Sequence, residues 1–310
     1  MNGLLKALDK YLALRRALGF KLARHEHELR KFVTFLDTQR ADFITTDLAL
    51  SWAQQPQHTT QAHRASRLGM VRDFARYLSA SDPRTQIPPQ GLLPAQPQRT
   101  QPYIYSNKEI LGMIREASRL QSTGGLRPYT YSALFGLLAV TGMRIGEIVA
   151  LDRADVDLKQ GVLTVRHSKF NKTRLLPVHI STLRKLKAYA RRRDKLMPVR
   201  STECFFISER GVRLTTFTVR ATFIKISRRI GLRKATDSHG PRLHDLRHTF
   251  AVRTLTNWYR ARINPEQRLP LLSAYLGHTK VSDTYWYLSA VPELLGAVST
   301  RLNNYLGDFS

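Results

Sequence analysis

The chain has 310 residues, of which 42% are hydrophobic, and this suits one or two globular domains with buried cores. Its 50 lysines and arginines outnumber 23 acidic residues and give a formal net charge of +27, which indicates a polyanionic partner, above all nucleic acid. A ribosomal protein or another non-catalytic nucleic-acid binder would share this charge. The one cysteine, Cys204, excludes a disulfide within the chain and is predicted to be a core residue on a strand.

Neither a secretion signal nor a membrane span is predicted. The first residues lack the apolar region of a signal peptide, and no apolar stretch reaches transmembrane length. We therefore expect a cytoplasmic protein that is associated with the nucleoid and has no membrane partner.

Residues 1–81 are predicted to form a small basic bundle of four helices without strands. Leucines that recur at helical spacing between Leu4 and Leu14 indicate the first helix. The others are predicted over residues 23–36, from about residue 46, and over residues 60–78. The fourth helix carries arginines on its outward faces, and these are candidate DNA contacts: Arg64, Arg67, Arg72 and Arg76.

Residues 82–102 are predicted to be an extended linker between two domains. The segment holds six prolines, and proline blocks helix formation and stiffens the chain. The alternative is a rigid loop within a single domain.

Residues 103–310 are predicted to be mainly helical with a small β-hairpin. Ser106 and Glu109 fit a capping box at the start of a helix, and a long apolar helix is predicted over residues 128–141. The remaining predicted elements are a strand over 161–167, a polar turn over 168–172, a return strand over 173–178, helices over 181–196, 215–230, 244–260 and 270–275, and short helices over 282–306.

Six side chains in this second part suit an attack on a DNA phosphodiester without a metal ion. Such a reaction needs an in-line nucleophile, donors for the charge that develops on the phosphoryl oxygens, and a proton for the leaving 5′ oxygen. Two arginines, a lysine, two histidines and a tyrosine can meet these needs: Arg144, Lys169, His244, Arg247, His278 and Tyr287.

Arg144 and Arg247 are the predicted phosphate clamps, because a guanidinium presents a fork of donors that matches two phosphoryl oxygens. Gly142 can turn the chain after the apolar helix, and Arg144 then opens a short helix. Glu147, one turn further on, could hold the Arg144 guanidinium in place. Alternatively, Arg144 and Glu147 form an ordinary surface ion pair.

His244 is predicted to share one helix face with Arg247, where it can donate to a phosphoryl oxygen or accept the tyrosine proton. His248 is predicted to be structural. His244 and His248 also have the spacing of a metal-binding pair, but no acidic or cysteine ligands complete the set, so no metal or other cofactor is expected. His278, which follows Gly277, could complete the phosphate cage.

Lys169 lies at the tip of the predicted hairpin, where its ammonium could protonate the leaving 5′ oxygen. Lys172 and Arg174 compete for that role, and all three could instead be plain DNA contacts. Tyr287 is the candidate nucleophile, since a strongly cationic site favours its phenolate over an ordinary pKa of about 10. Tyr285 is its rival, and the Tyr-Trp-Tyr run could also be core or a base-stacking surface.

These motifs, taken in order, resemble those of the tyrosine recombinase (phage integrase) family, which includes Xer-type recombinases, integron integrases and Cre. The hairpin match places Lys169 at the position of the catalytic lysine. The nine-residue step from His278 selects Tyr287 over Tyr285. The first arginine box, the lysine hairpin, the second box and the final Gly-His motif correspond to residues 141–147, 168–177, 244–250 and 276–278.

The resemblance covers residues 104–290 strongly and extends to residues 1–81, which resemble the family's N-terminal core-binding domain. It implies a C-shaped clamp on DNA, formed by this helical domain and an α+β catalytic domain of residues 103–310. One departure is a longer stretch over residues 258–270, which is predicted to be a loop.

The family mechanism implied for this chain is attack by Tyr287 on a phosphate, which gives a 3′-phosphotyrosyl link and a free 5′ hydroxyl without ATP or metal. The implied partners are double-stranded DNA with paired recognition sites and further copies in a homo-tetramer, or related recombinases, which exchange strands through a Holliday junction. The expected role is integration, excision or transposition of a mobile element. The amphipathic tail after Tyr287 is predicted to dock on a neighbouring protomer rather than on its own domain.

Three alternatives remain at this point. A type IB topoisomerase uses nearly the same residues but does not join separate DNA molecules. A catalytically silent DNA-binding regulator would keep the charge and the fold. A metal-dependent nuclease would need a carboxylate cluster, and the sequence offers no convincing one.

Overall fold

The structure is a computed structural model that describes residues 2–94, 101–166, 173–199 and 202–290. The chain divides into two compact units, Met1–Thr100 and Gln101–Ser310. Within the described ranges, every helix is too short or too polar to cross a membrane.

The described part of the N-terminal unit consists of four helices around one apolar core, as predicted. The third and fourth begin at threonine caps: Thr45 accepts a hydrogen bond from the Leu48 amide, and Thr60 accepts one from the His63 amide. Aromatic side chains, among them Trp52, fill the core. The helices are α1 (Asn2–Ala17), α2 (Ala23–Thr38), α3 (Thr46–Gln54) and α4 (Gln61–Leu78).

Arg67 requires a correction, because it lies inside the bundle rather than on an outward face of α4. Its guanidinium donates to Glu28 at 2.7 Å and to the Trp52 carbonyl at 3.1 Å, and it lies 3.6 Å from the centre of the Trp52 ring. The internal carboxylate and the aromatic face together draw the arginine inward. It is therefore poorly placed to contact DNA.

The first part of the predicted linker is held against the N-terminal unit. Residues 82–94 form no helix or strand, as the prolines predict. However, the amide of Gln86 donates to the Ile44 carbonyl at 2.8 Å, and Arg72 donates to the carbonyls of Pro88 and Pro89, each at 2.7 Å. This stretch is thus anchored, and it engages Arg72, one of the predicted DNA contacts.

The second unit is mainly helical with a small sheet, as predicted. Helix α6 is buried against helices on several sides, and α5 begins with the predicted capping box of Ser106 and Glu109. Cys204 is buried as predicted, but it forms an isolated bridge to Asp152 rather than part of a longer strand. The helices are α5 (Asn107–Ala117), α6 (Arg127–Thr141), α7 (Ile145–Ala150), α8 (Ile180–Leu196), α9 (Thr216–Arg229), α10 (Asp245–Arg260), α11 (Pro265–Leu276) and α12 (Ser282–Ala290).

The sheet has three antiparallel strands in the order β1-β2-β3. They are β1 (Val156–Asp157), β2 (Val162–Val165) and β3 (Arg174–Pro177). In the register of the hairpin, Val165 pairs with Arg174 and Val162 with Pro177. The predicted turn that joins β2 to β3 lies outside the described residues.

Helices α10, α11 and α12 surround a second apolar core that includes Tyr287. The predicted loop over residues 258–270 is wrong, because α10 continues to Arg260 and α11 already begins at Pro265. Proline is favourable at a first helical position, and Asn264 caps this helix through the Glu266 amide at 3.0 Å. The predicted docking tail beyond residue 290 lies outside the described residues.

Candidate active site

Arg144 lies at the sharp turn between α6 and α7. Helix α6 ends at Thr141, and Gly142 takes a left-handed backbone with φ of 60°. A Cβ atom at this position would lie 2.7 Å from Cδ1 of Phe250, so both the backbone and the available space require glycine. Arg144 then caps α7 with an extended backbone. The arginine is therefore attached to a tightly constrained corner.

The predicted contact between Arg144 and Glu147 is present. Nη1 of Arg144 donates to Glu147 at 2.9 Å, and Nη2 donates to the Gly277 carbonyl at 3.1 Å. Burial acts to raise the pKa of Glu147, but hydrogen bonds and charges from Arg174 and Arg144 lower it overall. The ionised carboxylate therefore orients two guanidiniums at once.

Arg174 is the second of these guanidiniums, and its side chain is only 11% exposed. It donates to Glu147 at 2.7 Å and to the Tyr275 carbonyl at 3.0 Å. It also lies so close to Gly277 that a Cβ atom there would come within 2.6 Å of Nη1. The Glu147 carboxylate therefore holds the Arg174 side chain inward, beside Arg144, and the predicted DNA contact of Arg174 stays a prediction.

Arg247 is buried, with 2% of its surface exposed. Its Nη1 donates to the Gly142 carbonyl at 2.9 Å, whereas Nη2 is buried without a hydrogen-bond partner among the described residues. Burial, and then the charge of Arg144, lower the pKa of Arg247 to about 10, which leaves it protonated at neutral pH. The pocket thus offers a positive charge that an anion can neutralise and a hydrogen-bond donor that an anion can satisfy.

The Tyr287 hydroxyl lies in the same pocket. Its oxygen is 3.0 Å from Nδ1 of His248, and its ring stacks against that of His278 with 6.3 Å between the centres. Burial raises the pKa of Tyr287, although the charges of Arg247 and Arg144 oppose this effect. The tyrosine is therefore surrounded by groups that can stabilise its phenolate and receive its proton.

Burial separates the two tyrosine candidates. Tyr287 is 2% exposed, whereas Tyr285 is 48% exposed. Only Tyr287 of the two belongs to the core between α10, α11 and α12. The burial and the sequence spacing thus favour the same residue, and its role as the nucleophile stays a prediction.

Three histidines lie in this pocket. His244 is the N-cap residue of α10 and does not lie within the helix, so it does not share a helix face with Arg247 as predicted. Its ring is perpendicular to that of His248, with 4.8 Å between the ring centres. Nδ1 of His278 lies 2.7 Å from the Thr284 hydroxyl. Burial is the main cause that lowers the pKa of all three, to about 4 for His248 and His278.

His248 has a position that sequence reasoning undervalued. It was predicted to be structural, yet its ring nitrogen contacts the hydroxyl of the candidate nucleophile. The signal that could have found it is its place on α10, one residue after Arg247 and four after His244. That spacing puts His248 one helical turn along from His244.

The structure brings five of the six predicted catalytic side chains into one pocket, where their charges influence one another's pKa values. These are Arg144, His244, Arg247, His278 and Tyr287. Lys169 and Lys172 lie outside the described residues. Over the described ranges, no group of three or more His, Cys, Asp or Glu side chains could hold a metal ion.

The remaining predicted DNA contacts lie on α4 of the N-terminal unit. Arg64 donates to the carbonyls of Pro56 and Gln57 at 3.1 and 3.2 Å. Arg76 has a side chain that is 56% exposed and pairs with Asp73 at 3.2 Å. The DNA-contact role of both arginines stays a prediction, and Arg76 is the more accessible of the two.

Comparisons with known proteins show the family of this chain. The model of the phage integrase family matches residues 107–293. The integrase/recombinase y4rB of Sinorhizobium fredii is 48% identical over 306 residues, which cover 97% of this chain and 98% of that protein. The chain therefore belongs to the phage integrase family. It is a tyrosine-type site-specific DNA recombinase.

Solved structures share the fold at lower identity. The Tn1549 transposon integrase in complex with transposon right end DNA superposes with a TM-score of 0.63 at 14% identity, covering 96% of this chain and 99% of that one. A lambda integrase tetramer bound to a Holliday junction superposes with a TM-score of 0.55 at 20% identity, covering 89% and 77%.

Proposed function

We propose that Tyr287 is the nucleophile with which this recombinase cuts DNA. Its phenolic oxygen bonds to the scissile phosphorus, the bond to the 5′ oxygen breaks, and the products are a 3′-phosphotyrosyl link and a 5′ hydroxyl. One observation carries the proposal: a buried tyrosine hydroxyl shares its pocket with Arg247, whose buried Nη2 has no partner in the described structure. A phosphate would satisfy that donor and neutralise its charge.

The other roles follow from the chemistry of each side chain. Arg144 and Arg247 bind the phosphoryl oxygens and stabilise the charge that develops on them. His244 and His278 donate further hydrogen bonds to this phosphate. Lys169 protonates the leaving 5′ oxygen. In this scheme neither a metal ion nor a cofactor takes part.

The acting unit we propose is a homo-tetramer, or a mixed assembly with related recombinases, on paired sites in double-stranded DNA. The net charge of +27 supports extensive DNA contact, and the fold resembles that of lambda integrase, which assembles as a tetramer on a Holliday junction. The N-terminal unit would bind the DNA as well, and the C-terminal tail would dock on a neighbouring protomer. The biological role we propose is movement of a mobile element within nucleoid DNA.

A covalent-trapping assay in EDTA tests the nucleophile. Short nicked duplexes are made from the DNA that flanks the gene, after a screen for a tight and specific complex. Wild type is compared with Tyr287→Phe, and the matched control is Tyr285→Phe. We expect a denaturant-resistant protein–DNA adduct with wild type and Tyr285→Phe and none with Tyr287→Phe.

The other outcomes separate the alternatives. An adduct that survives in Tyr287→Phe but not in Tyr285→Phe would move the nucleophile to Tyr285. Site-specific binding without any adduct favours the regulator, and loss of activity in EDTA favours a nuclease. Relaxation of supercoiled DNA without joining of separate duplexes favours a topoisomerase-like enzyme.

A further inference from the structure

The Tyr287 hydroxyl has a histidine partner that the roles assigned above leave unused. Nδ1 of His248 lies 3.0 Å from the hydroxyl oxygen. Nδ1 of His278 is engaged instead by the Thr284 hydroxyl at 2.7 Å, and the His278 ring stacks on Tyr287 without a hydrogen bond between them among the described contacts. Of the two histidine rings that lie against Tyr287, His248 is therefore the one positioned to exchange a proton with it.

The reaction needs such a proton acceptor. Burial raises the pKa of Tyr287, and the charges of Arg247 and Arg144 offset this only in part. A neutral phenol is a weak nucleophile, and a guanidinium can stabilise the phenolate but cannot accept its proton. A neutral imidazole within hydrogen-bond distance can do so.

His248 is held in the state and orientation that this task requires. Burial, and then the nearby His244, lower the pKa of His248 to about 4, so the free enzyme keeps this imidazole neutral at pH 7. The rings of His244 and Trp286 pack against it with 4.8 and 5.5 Å between the centres. A bound phosphate brings negative charge into the pocket and makes the imidazole more basic when the substrate is present.

The charged and titratable groups around this imidazole come from three elements. They are Arg242 and His244 just before α10, Asp245 and Arg247 in its first turn, Tyr287 on α12, and His278 in the turn between α11 and α12. Asp245 is the acidic member of this set, and its Oδ2 accepts a hydrogen bond from the backbone amide of Arg242 at 2.7 Å.

We propose that His248 is the general base of DNA cleavage and takes the Tyr287 proton on Nδ1 as the phenolic oxygen bonds to phosphorus. The bond from phosphorus to the 5′ oxygen breaks in the same step, and that oxygen receives its proton from a separate acid, the role assigned to Lys169. During rejoining the 5′ hydroxyl attacks phosphorus and gives its proton to the deprotonated form of that same acid. The bond from phosphorus to the Tyr287 oxygen breaks, and His248 returns its proton to this oxygen. This inference rests on the proposed function of Tyr287.

The test compares two amides that mimic different ring nitrogens. His248→Asn places an amide near the position of Nδ1, whereas His248→Gln reaches toward that of Nε2. Asparagine can therefore keep the hydrogen bond to Tyr287 but cannot accept its proton. His239→Gln, in an exposed loop, is the matched control. Single-turnover formation of the Tyr287 adduct is measured on a nicked duplex between pH 5.5 and 9.5.

We expect both His248 variants to form the adduct about 100-fold more slowly than wild type at pH 7, with His239→Gln unchanged. Their rates should rise about tenfold per pH unit and approach that of wild type at high pH, since the phenolate then forms without a base. A His248→Asn enzyme as fast as wild type would overturn the proposal, and so would a rate lowered by the same factor at every pH. Thermal unfolding and DNA binding of each variant verify that it is folded.

A second substrate distinguishes the general base, His248, from the general acid, Lys169. Sulfur in place of the 5′ bridging oxygen leaves without protonation, so it should restore cleavage by Lys169→Ala but not by His248→Asn. Rescue of His248→Asn by this substrate would make His248 the acid and overturn the assignment. Absence of an adduct in wild type would instead reject the proposed function itself.

Discussion

The N-terminal and catalytic units each bury an arginine, but they satisfy it differently. Arg67 is 6% exposed and is paired with the Glu28 carboxylate at 2.7 Å. Arg247 is 2% exposed and, within the described residues, has no carboxylate at ion-pair distance, and its Nη2 has no partner. A buried charge is costly unless it is paired. The charge of Arg67 is thus paired by a carboxylate within the protein, although its Nε has no hydrogen-bond partner among the described residues. The charge of Arg247 is left for an anionic ligand to pair.

The largest effect is expected from Arg247→Gln, which removes the unpaired guanidinium from the catalytic pocket. We expect single-turnover DNA cleavage to fall roughly 1,000-fold or more, because a buried guanidinium that stabilises phosphoryl charge has effects of this size. The free energy of unfolding should stay the same or rise, since the change removes an unpaired buried charge. Adduct formation and urea unfolding measure the two effects. A marked loss of stability with intact cleavage would mean that Arg247 is structural.

The converse change is Arg67→Met, which should cost about 3 kcal/mol of stability. It leaves the buried Glu28 with only the more distant Lys31 ammonium, at 4.0 Å. Hydrogen exchange at the α2 and α4 amides localises the loss to the N-terminal unit. Arg76→Met, on the exposed side of the same helix, should change stability by less than about 0.5 kcal/mol. The double variant Arg67→Met with Glu28→Leu should recover most of the loss, and its failure to do so would show that the Trp52 contact dominates.

The same contrast explains what the sequence could predict. Local signals were sufficient for most of the described helices: the Ser106 capping box and apolar periodicity predicted their order and approximate bounds. Local signals were insufficient to predict whether the arginine side chains are buried or exposed. Arg67 and Arg174 looked like surface contacts because nothing in a helical or strand pattern reveals a carboxylate that lies distant in sequence, such as Glu28 or Glu147.

Prolines limited the prediction of α11. The sequence analysis predicts a helix over residues 270–275 that starts at Pro270, and proline inside a helix removes a hydrogen bond. The helix instead begins at Pro265 and contains Pro270. In the site, the ordered motifs predicted which residues to group, but only folding placed the Tyr287 hydroxyl beside His248, since this contact joins α10 to α12.

A smaller effect is expected at the turn that serves both arginines of the pocket. Gly142→Ala should cost about 2 kcal/mol of stability, because its φ of 60° and the approach of Phe250 strain any side chain. Cleavage should also slow, since the Gly142 carbonyl accepts from Arg247. Gly146→Ala is the matched control, with nothing within 4 Å of its added Cβ, and should stabilise by about 0.5 kcal/mol. Equal unfolding midpoints for the two variants would contradict this account.

A dependence of stability on pH is also expected, and it originates in the catalytic unit. His248 and His278 each have a folded pKa of about 4, below the ordinary value of 6.5. The unfolded chain therefore binds protons more readily, so the free energy of unfolding should fall as the pH drops from 6.5 toward 4. His278→Gln removes one of these groups and should make the slope shallower, as measured by urea unfolding at several pH values. An unchanged slope would contradict this prediction, because it would mean that His278 has the same pKa in the folded and the unfolded chain and that burial in the pocket does not disfavour its charged form.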